Sequence, residues 1–498
     1  MHFARNLERD CSMEQRRRKK KRFKKIYNVC KRTAFSYFQE QKYESTLSII
    51  SVAATFMYKV NMIYVDKDFE NIIRESANRY ISFDRSVLQV KEKTVAFYDE
   101  FGLEHRGLAL IYLEALLSKG YHIIYFTRAG KKIAGIEKML REDGKGDIYY
   151  IERASYKEET EFVLQTVKDY GAKALFIYDL PGGIVGSLAA HALRGSGVTS
   201  YKINLTDHAF WLGAEATDFF IEFRDYGANI SVQYRHIPKE KLLKLPYYPQ
   251  IDKEIEFQGF PFEVKEDTKV VFSGGALYKT YSKDRLYYYM VEEIVKKYDE
   301  VIFWYAGKGD TTAFDNLIVK YPGRIFRTEE RKDLFEVLKH CHFYLSTYPI
   351  TGGLMGQYAV CAGKVPVTLL KHEECHLVLE NRSVLECEYY TVSDVLAFIE
   401  KIMCEDGYLR SLEKCMLEDD LVVRKDAFEE NLEKIIEMKN SSFPLQYYKV
   451  RLESYSNIFI DNFDEGKISK LLWVKRTKEL GKFRKAFLKR GMRNYGMR

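Results

Sequence analysis

The first 90 residues carry apolar positions at helical spacing. Between Lys42 and Tyr58, and again between Asp68 and Ile81, apolar side chains recur every three or four residues. Such a period places one apolar stripe along a helix. No longer repeat period is present, so the pattern predicts a small helical extension over residues 1–90 rather than a helical-repeat array.

After Lys93 the pattern changes to short apolar runs that alternate with amphipathic segments. The runs predict strands at 95–98, 122–126, 148–151, 174–177, 200–204 and 218–225. The amphipathic segments predict helices at 106–119, 132–141, 158–170 and 183–193. Alternating strands and helices are typical of a parallel, doubly wound sheet. Residues 91–258 are therefore predicted to form a first α/β domain.

The same alternation begins again at Lys269. Strands are predicted at 270–272, 300–305, 324–327, 343–345 and 365–369, with helices at 283–297, 312–320, 333–339 and 357–363 and others after Ser393 and Asp426. A chain of 498 residues exceeds one ordinary core. We therefore predict an α/β fold of two doubly wound domains facing across a cleft. The second domain covers 259–436, and a basic helical tail covers 437–498.

Charge is concentrated at the two ends of the chain. Residues 16–25 carry nine positive charges, and residues 467–498 carry twelve positive charges against one negative. Because the net charge is only +8, the remainder is acidic, at about −12. An acidic body without a recognisable nucleic-acid module disfavours nucleic acid as a partner and favours an anionic membrane surface. In the tail, Ile468 and Leu472 fit either an amphipathic surface helix or a helix packed on the body.

The cysteines and the apolar runs bear on the compartment. The eight cysteines are scattered without a C-x-x-C pair, which is typical of reduced thiols. The apolar run from Leu47 to Tyr58 is too short to span a bilayer. We predict a cytoplasmic protein, held peripherally at the inner face of the cell membrane by its basic ends.

Two glycine-rich turns follow strands of the second domain. Gly274 and Gly275 end the first strand, and Lys279 follows them. Gly352, Gly353 and Gly356 lie after strand 343–345 and before a predicted helix. Each turn alone is an ordinary strand-to-helix connection. Together, at the carboxyl ends of parallel strands, they predict a binding site for one diphosphate.

Several segments resemble one enzyme family. The segment FSGGALYK at 272–279, WLG at 211–213, DFFI at 218–221 and LLKLP at 242–246 are similar to motifs of the O-linked N-acetylglucosamine transferases and bacterial cytoplasmic N-glycosyltransferases. These enzymes have the GT-B fold, with two Rossmann-like domains. The resemblance covers residues 95–435 and implies a UDP-sugar donor, an inverting transfer and no metal or other cofactor.

The resemblance also assigns residues. It implies that Lys279 contacts the donor diphosphate. Leu354 and Met355 stand where the family has hydroxyl or amide side chains, so the backbone N–H groups of the three loop glycines must supply more of the phosphate contacts. The helix that starts near Gln357 is expected to add its N-terminus.

Further donor-side candidates are Lys332, Arg327 and Glu374. Of these, Glu374, or its neighbour Glu373, is expected to hold a sugar or ribose hydroxyl. It lies in the stretch His372 to His376, whose spacing is not that of a zinc motif, so no metal site is predicted.

The general base is expected on the first domain. Asp207 and His208 follow strand 200–204, and a carboxylate beside an imidazole sets its tautomer and raises its basicity. His208 as a locally bonded loop residue remains an equal alternative. Asp99, Glu100 and His105 form the second choice.

These observations predict a glycosyltransferase that moves a sugar from a nucleotide-sugar to a lipid-linked saccharide in surface polysaccharide biosynthesis. A protein acceptor is the alternative that the family favours. A catalytically silent GT-B subunit that binds a partner transferase is the alternative that Leu354 and Met355 keep open.

Overall fold

A computed structural model describes most of the chain. The described residues are 2–102, 108–131, 133–142, 144–152, 155–370, 376–381, 385, 387–418, 420–451 and 453–468. The chain divides into two compact units. The first comprises Met1–Leu245, Phe428–Val450 and the segment from Phe459, and the second comprises Pro246–Ala427 and Arg451–Ile458.

Three helices open the first unit, and the apolar spacing predicted the second and third of them. They are α1 (His2–Gln39), α2 (Tyr43–Val60) and α3 (Lys67–Arg79). Asp66 caps α3 by accepting hydrogen bonds from the backbone N–H groups of Asp68 and Phe69, which lack partners inside the helix. The apolar side of α1, including Phe23 and Cys30, is buried in the same core as α2.

The first unit contains seven described parallel strands. They are β1 (Lys91–Asp99), β2 (His122–Thr127), β3 (Gly146–Tyr150), β4 (Ala172–Tyr178), β5 (Thr199–Ile203), β6 (Phe219–Glu222) and β7 (Leu242–Lys244), in the order β3-β2-β1-β4-β5-β6-β7. The helices between them are α4 (Ala109–Ser118), α5 (Ala134–Glu142), α6 (Tyr156–Tyr170), α7 (Val185–Leu193) and α8 (Asp225–Tyr234). The strand order reverses between β1 and β4.

The second unit repeats this plan with six described strands. They are β8 (Lys269–Gly274), β9 (Val301–Ala306), β10 (Ile325–Thr328), β11 (Phe343–Leu345), β12 (Pro366–Leu369) and β13 (Glu388–Tyr389), in the order β10-β9-β8-β11-β12-β13. The helices are α9 (Leu286–Lys297), α10 (Thr312–Lys320), α11 (Leu334–Lys339), α12 (Gly353–Cys361), α13 (Val392–Cys404) and α14 (Asp406–Glu418). Helices α15 (Lys425–Met438) and α16 (Glu453–Asn462) follow. The prediction of two doubly wound parallel sheets is confirmed.

Three local predictions are corrected. The strand predicted at 218–225 ends at Glu222, because α8 begins at Asp225 and its sequence has little periodicity. The three-residue strand β7 was not predicted, since so short a run carries no pattern. The helix predicted at 357–363 spans Gly353–Cys361 instead, which places Leu354, Met355 and Gly356 in its first turn.

Two predictions concern membranes and the C-terminus. No helix within the described residues combines the length and the apolar character that crossing a bilayer requires. The described chain ends at Ile468, which is buried in the core of the first unit. The rest of the predicted basic tail, residues 469–498, lies outside the described residues.

Candidate functional site

The second sheet brings the two predicted glycine-rich turns to one place. Strands β8 and β11 are parallel neighbours, with Val271 opposite Phe343 and Phe272 opposite Tyr344. Strand order reverses between these two strands, and in open parallel sheets ligands bind beyond the carboxyl ends of strands at such a point. Both turns therefore leave the sheet at the position where a ligand is expected.

A direct hydrogen bond joins the two turns. Lys279 lies in a 3₁₀ turn, Leu277–Thr280, and its carbonyl oxygen accepts from the backbone N–H of Ile350 at 3.2 Å. Thr280 is fully buried and bonds the hydroxyl of Tyr288 at 2.6 Å, which fixes the turn to α9. The main chain of Lys279 is thus held between the sheet and the turn after β11.

A third loop, which the sequence analysis missed, packs against the first. The backbone N–H of Gly275 donates to the carbonyl of Ala306 at 3.0 Å, and that of Leu277 donates to Lys308 at 2.9 Å. A Cβ atom on Gly307 would lie 1.9 Å from the carbonyl oxygen of Gly275. Only glycine fits there. The A-G-K-G stretch directly after a predicted strand was the available signal.

Helix α12 points its first turn at the same edge of the sheet. Its N-cap is Gly352, which has no side chain to cap the N–H groups of the turn. The N-terminus of a helix favours anions because its N–H groups carry partial positive charge. The prediction that Gly356 donates its N–H to a phosphate is corrected. This N–H donates to the carbonyl oxygen of Gly352 at 2.9 Å within the helix. Gly353, the first helical residue, fits the expectation better.

The apolar residues of this turn have a packing role. Met355 is buried in a cluster with Phe272 and Trp304. A Cβ atom on Gly274 would lie 3.5 Å from the Met355 methyl carbon and 3.1 Å from the carbonyl oxygen of Ala306. Met355 therefore packs against the turn after β8. A polar side chain at this buried position would lose its hydrogen bonds to water.

The other donor-side candidates are dispersed. Gln357 is buried, and its side-chain amide donates to the carbonyls of Tyr247 at 2.8 Å and Val378 at 3.0 Å, so it ties main-chain segments together. Lys332 is exposed in the segment after β10, the edge strand. Glu374 lies outside the described residues.

Arg327 and the histidine-rich stretch add nothing to this site. Arg327 lies in β10, with its Nε atom 3.9 Å from a carboxylate oxygen of Asp315. His376 lies 2.9 Å from Glu388, and His372 is outside the described residues. Within the described ranges, no group of three His, Cys, Asp or Glu side chains is arranged to hold a metal ion.

Asp207 and His208 lie together in the first unit. The main chain turns at residues 205–208, so both side chains can face the same way, and Nδ1 of His208 is 3.5 Å from Oδ1 of Asp207. The carbonyl oxygen of His208 accepts a hydrogen bond from Asn61 at 2.8 Å. The imidazole stacks on Phe459 with ring centres 5.9 Å apart. His208 is therefore held by both its main chain and its ring.

The carboxylate of Asp207 is fixed by an arginine. Nε of Arg224 donates to Oδ2 of Asp207 at 2.6 Å and Nη2 donates to Oδ1 at 3.1 Å. Burial would raise the pKa of Asp207, but the charge of Arg224 and hydrogen bonds from His208 and Arg224 outweigh burial and lower the pKa to about 2. Asp207 thus stays ionised and can orient His208 without taking a proton itself.

Asp99 and Glu100, the second choice for the general base, form internal hydrogen bonds. Asp99 accepts hydrogen bonds from the Tyr125 hydroxyl at 2.6 Å and from the N–H of Gly102 at 2.9 Å. Glu100 accepts from the Tyr98 hydroxyl at 2.8 Å and from Leu180 N–H at 3.2 Å. His105 lies outside the described residues. These contacts make Asp99 and Glu100 structural.

The carboxyl end of β6 holds another buried acid. Glu222 accepts from the amide of Asn204 at 2.9 Å and from the hydroxyl of Ser231 at 2.5 Å. Burial raises its pKa to about 7, although Ser231, Arg235 and Asn204 act in the opposite direction. Because it is fully buried, Glu222 supports the turn that carries Asp207 and is not itself a candidate base.

The comparisons with known proteins identify the fold. No protein-family profile matches the chain, and no curated protein matches it by sequence. A mutant O-GlcNAc transferase of Thermobaculum terrenum matches with a TM-score of 0.50 at 14% identity, over 83% of this chain and 78% of that one. Alr3699/HepE of Anabaena, in complex with UDP and glucose, matches with a TM-score of 0.51 at 10% identity, over 70% of this chain and all of that one.

A glycosyltransferase of Rickettsia africae matches with a TM-score of 0.52 at 10% identity, over 70% of this chain and 100% of that one. The two parallel sheets and these matches give the chain the GT-B fold, as the resemblance implied. The likeness is one of fold.

Proposed function

We propose that the chain is a glycosyltransferase whose second unit binds a nucleotide-sugar, specifically a UDP-sugar. The observation that carries this proposal is the convergence of three glycine-bearing loops and the N-terminus of α12 where strand order reverses at β8 and β11. The Anabaena structure, which has the same fold, holds UDP and glucose. That relative supports the choice of donor.

The chemistry follows from where negative charge develops. As the bond from the sugar to the diphosphate breaks, the leaving group gains charge that preorganised donors stabilise. Lys279 and the uncapped first turn of α12 would supply these donors without a metal or another cofactor. His208, oriented by Asp207, would take the proton of the acceptor hydroxyl. In this scheme the acceptor attacks opposite the leaving group and the transfer is inverting.

Donor binding is the first property to test. Thermal stabilisation and calorimetry with UDP, GDP, CDP and ADP should show selective binding of UDP. Lys279→Ala should weaken UDP binding about 10-fold to 100-fold, because a charge-assisted phosphate contact is lost. The matched control is Lys283→Ala, an exposed lysine four residues along, which should bind as the wild type does. If no diphosphate binds at millimolar concentration, the donor site is refuted.

For the acceptor we propose a lipid-linked saccharide of a surface polysaccharide. A protein acceptor is the alternative, because the Thermobaculum relative is an O-GlcNAc transferase. Incubation of lysate with radiolabelled UDP-sugar separates the two. Label that extracts into organic solvent supports the lipid acceptor, and a protease-sensitive band contradicts it.

A catalytically silent GT-B subunit is the second candidate. The observation that favours it is the apolar first turn of α12, where Met355 packs on Phe272 and offers no polar contact to a phosphate. A silent subunit would show neither transfer nor slow hydrolysis of the UDP-sugar by the purified chain. Measurable hydrolysis that Lys279→Ala abolishes would reject this candidate.

A further inference from the structure

Helix α1 carries two sets of basic side chains with different surroundings. The first set forms ion pairs and hydrogen bonds within the first unit. Arg16 donates through Nε to Asp461 at 2.8 Å, and Lys19 donates to the carbonyl oxygen of Asp461 at 3.1 Å. Arg22 pairs with Glu465. These residues recur every third position, so they lie along one side of α1 and hold the C-terminal segment.

The second set faces solvent. Arg17, Lys21, Lys24 and Arg32 are exposed, and their spacing places them on one stripe of a helix with 3.6 residues per turn. We call these four residues the basic face. Among the side chains that the structure describes, which in α1 begin at Met13, no carboxylate lies within 4.0 Å of a side-chain nitrogen of the basic face.

A shallow groove runs along the same stripe. It is lined by residues of α1, of which five are Lys or Arg. One of the five, Lys31, is paired with Asp66 and Asp68 of the first unit. Phe35 lines its far end and is 40% exposed. The surface therefore combines a row of cations with one aromatic side chain, a composition suited to electrostatic contact with an anionic membrane surface.

The length of the row selects the kind of partner. From Arg17 to Arg32 the basic face extends for roughly 22 Å along the helix, at 1.5 Å per residue. One phosphate group would contact two or three of these side chains, whereas a plane of anionic headgroups contacts all of them at once. A nucleic acid is disfavoured, because the sequence contains no recognisable nucleic-acid module and the rest of the chain carries about −12.

The fold also places the start of the basic tail beside this helix. The pairing of Arg22 with Glu465 holds the last described residues against α1. The remaining residues, 469–498, contain eleven Lys or Arg and one Glu.

We infer that the basic face of α1 docks the protein on an anionic lipid bilayer by contacting the phosphate headgroups. This partner goes beyond donor binding, and it would bring a lipid-linked acceptor to the enzyme. The inference stands on the charge and exposure of α1, so it holds or fails independently of the nucleotide site.

The test is sedimentation of the full chain with vesicles. The wild type should bind vesicles of phosphatidylcholine with phosphatidylglycerol, should not bind phosphatidylcholine alone, and should be released by salt. Lys21→Gln, Lys24→Gln and Arg32→Gln combined should weaken binding about 100-fold, since each basic residue at a membrane contributes a factor of about five. The melting temperature and the UDP-induced shift should stay unchanged.

The control removes the same charge elsewhere. Lys253→Gln, Lys265→Gln and Lys283→Gln combined replace three exposed lysines of the second unit. Because these lysines are not part of the basic face, this variant should keep vesicle binding within about threefold of the wild type. The inference is overturned if both triple variants bind equally, if the wild type binds neutral vesicles as tightly, or if it prefers an RNA homopolymer to anionic vesicles at equal salt.

Discussion

At the scale of single residues, the buried carboxylates near the candidate base are paired before any substrate arrives. Asp207 has two hydrogen bonds from Arg224. Asp179 pairs with Lys202, and burial still raises the pKa of Asp179 to about 6 despite the lysine charge. Buried ions need such partners, because an isolated buried charge costs several kcal/mol. A candidate base must therefore be sought at the rim of these networks, where His208 lies with a quarter of its side chain exposed.

The ion pair of Asp207 gives a prediction for stability. Asp207→Asn should lower the free energy of unfolding by about 3 kcal/mol at pH 7, because Arg224 loses its charged partner. The folded pKa of about 2 lies below the ordinary value of 3.8, so this stabilisation is complete above that value and is lost as the pH falls through 2. Urea unfolding of both proteins should therefore show a full difference at neutral pH and a smaller one near pH 3. Equal stability at neutral pH would contradict the pairing.

At the scale of elements, hydrogen bonds join three loops at the end of the second sheet. Their mutual hydrogen bonds involve backbone atoms of Gly275, Leu277 and Ile350. Because backbone groups carry these contacts, the loop geometry depends on small residues at close approaches and tolerates varied side chains elsewhere. This explains why Leu354 and Met355 can occupy the first turn of α12 without disturbing its position.

Replacing Gly307 tests whether the close contact between these loops is needed for UDP binding. In Gly307→Ala, the new Cβ would overlap the carbonyl oxygen of Gly275, so the loops after β8 and β9 must separate. We expect a loss of about 1–3 kcal/mol in the free energy of unfolding, and UDP binding at least about tenfold weaker. Gly407→Ala is the control, since a Cβ there meets nothing within 4 Å. Unchanged UDP binding by Gly307→Ala would show that the loop after β9 is not part of the donor site.

At the scale of the whole molecule, the N-terminal helices belong to the core of the first unit. Phe23 of α1 and Phe56 of α2 pack edge to face, with ring centres 5.7 Å apart, and both contact Phe463. Helix α2 also covers the loop after β4, where the hydroxyl of Ser51 donates to the carbonyl of Gly182 at 2.6 Å. The helices thus complete the first unit and cover part of the carboxyl edge of its sheet.

A single core substitution tests whether these helices unfold together with the sheet of the first unit. Phe56→Ala should lower the free energy of unfolding by about 3–5 kcal/mol, because a fully buried ring with two aromatic neighbours is lost. Phe35→Ala, at an exposed position of α1, should change it by less than about 0.5 kcal/mol. Chemical denaturation followed by circular dichroism compares the two. A helical extension that folds separately from the sheet would instead give two transitions, with the sheet transition unchanged in Phe56→Ala.

Much of the fold was readable from the sequence for a local reason. The 3.6-residue period of apolar positions marks the buried side of a helix such as α2, and a short apolar run that ends at glycine marks a buried strand such as β8, so both were predicted within a few residues. Short elements such as β7 escaped, since three residues contain no period. The glycine turns at Gly274 and Gly352 were visible because glycine marks close approach of the backbone.

The sequence by itself determined the alternation of strands and helices, the glycine turns after β8 and β11, and the basic composition of both ends. Only the tertiary structure decided that Gly356 uses its N–H inside a helix, that Arg224 neutralises Asp207, and that the basic residues of α1 divide between an inner and an outer side. The physical reason is distance along the chain. Propensity and periodicity act between near neighbours, whereas hydrogen bonds and ion pairs join residues that only the folded chain brings together.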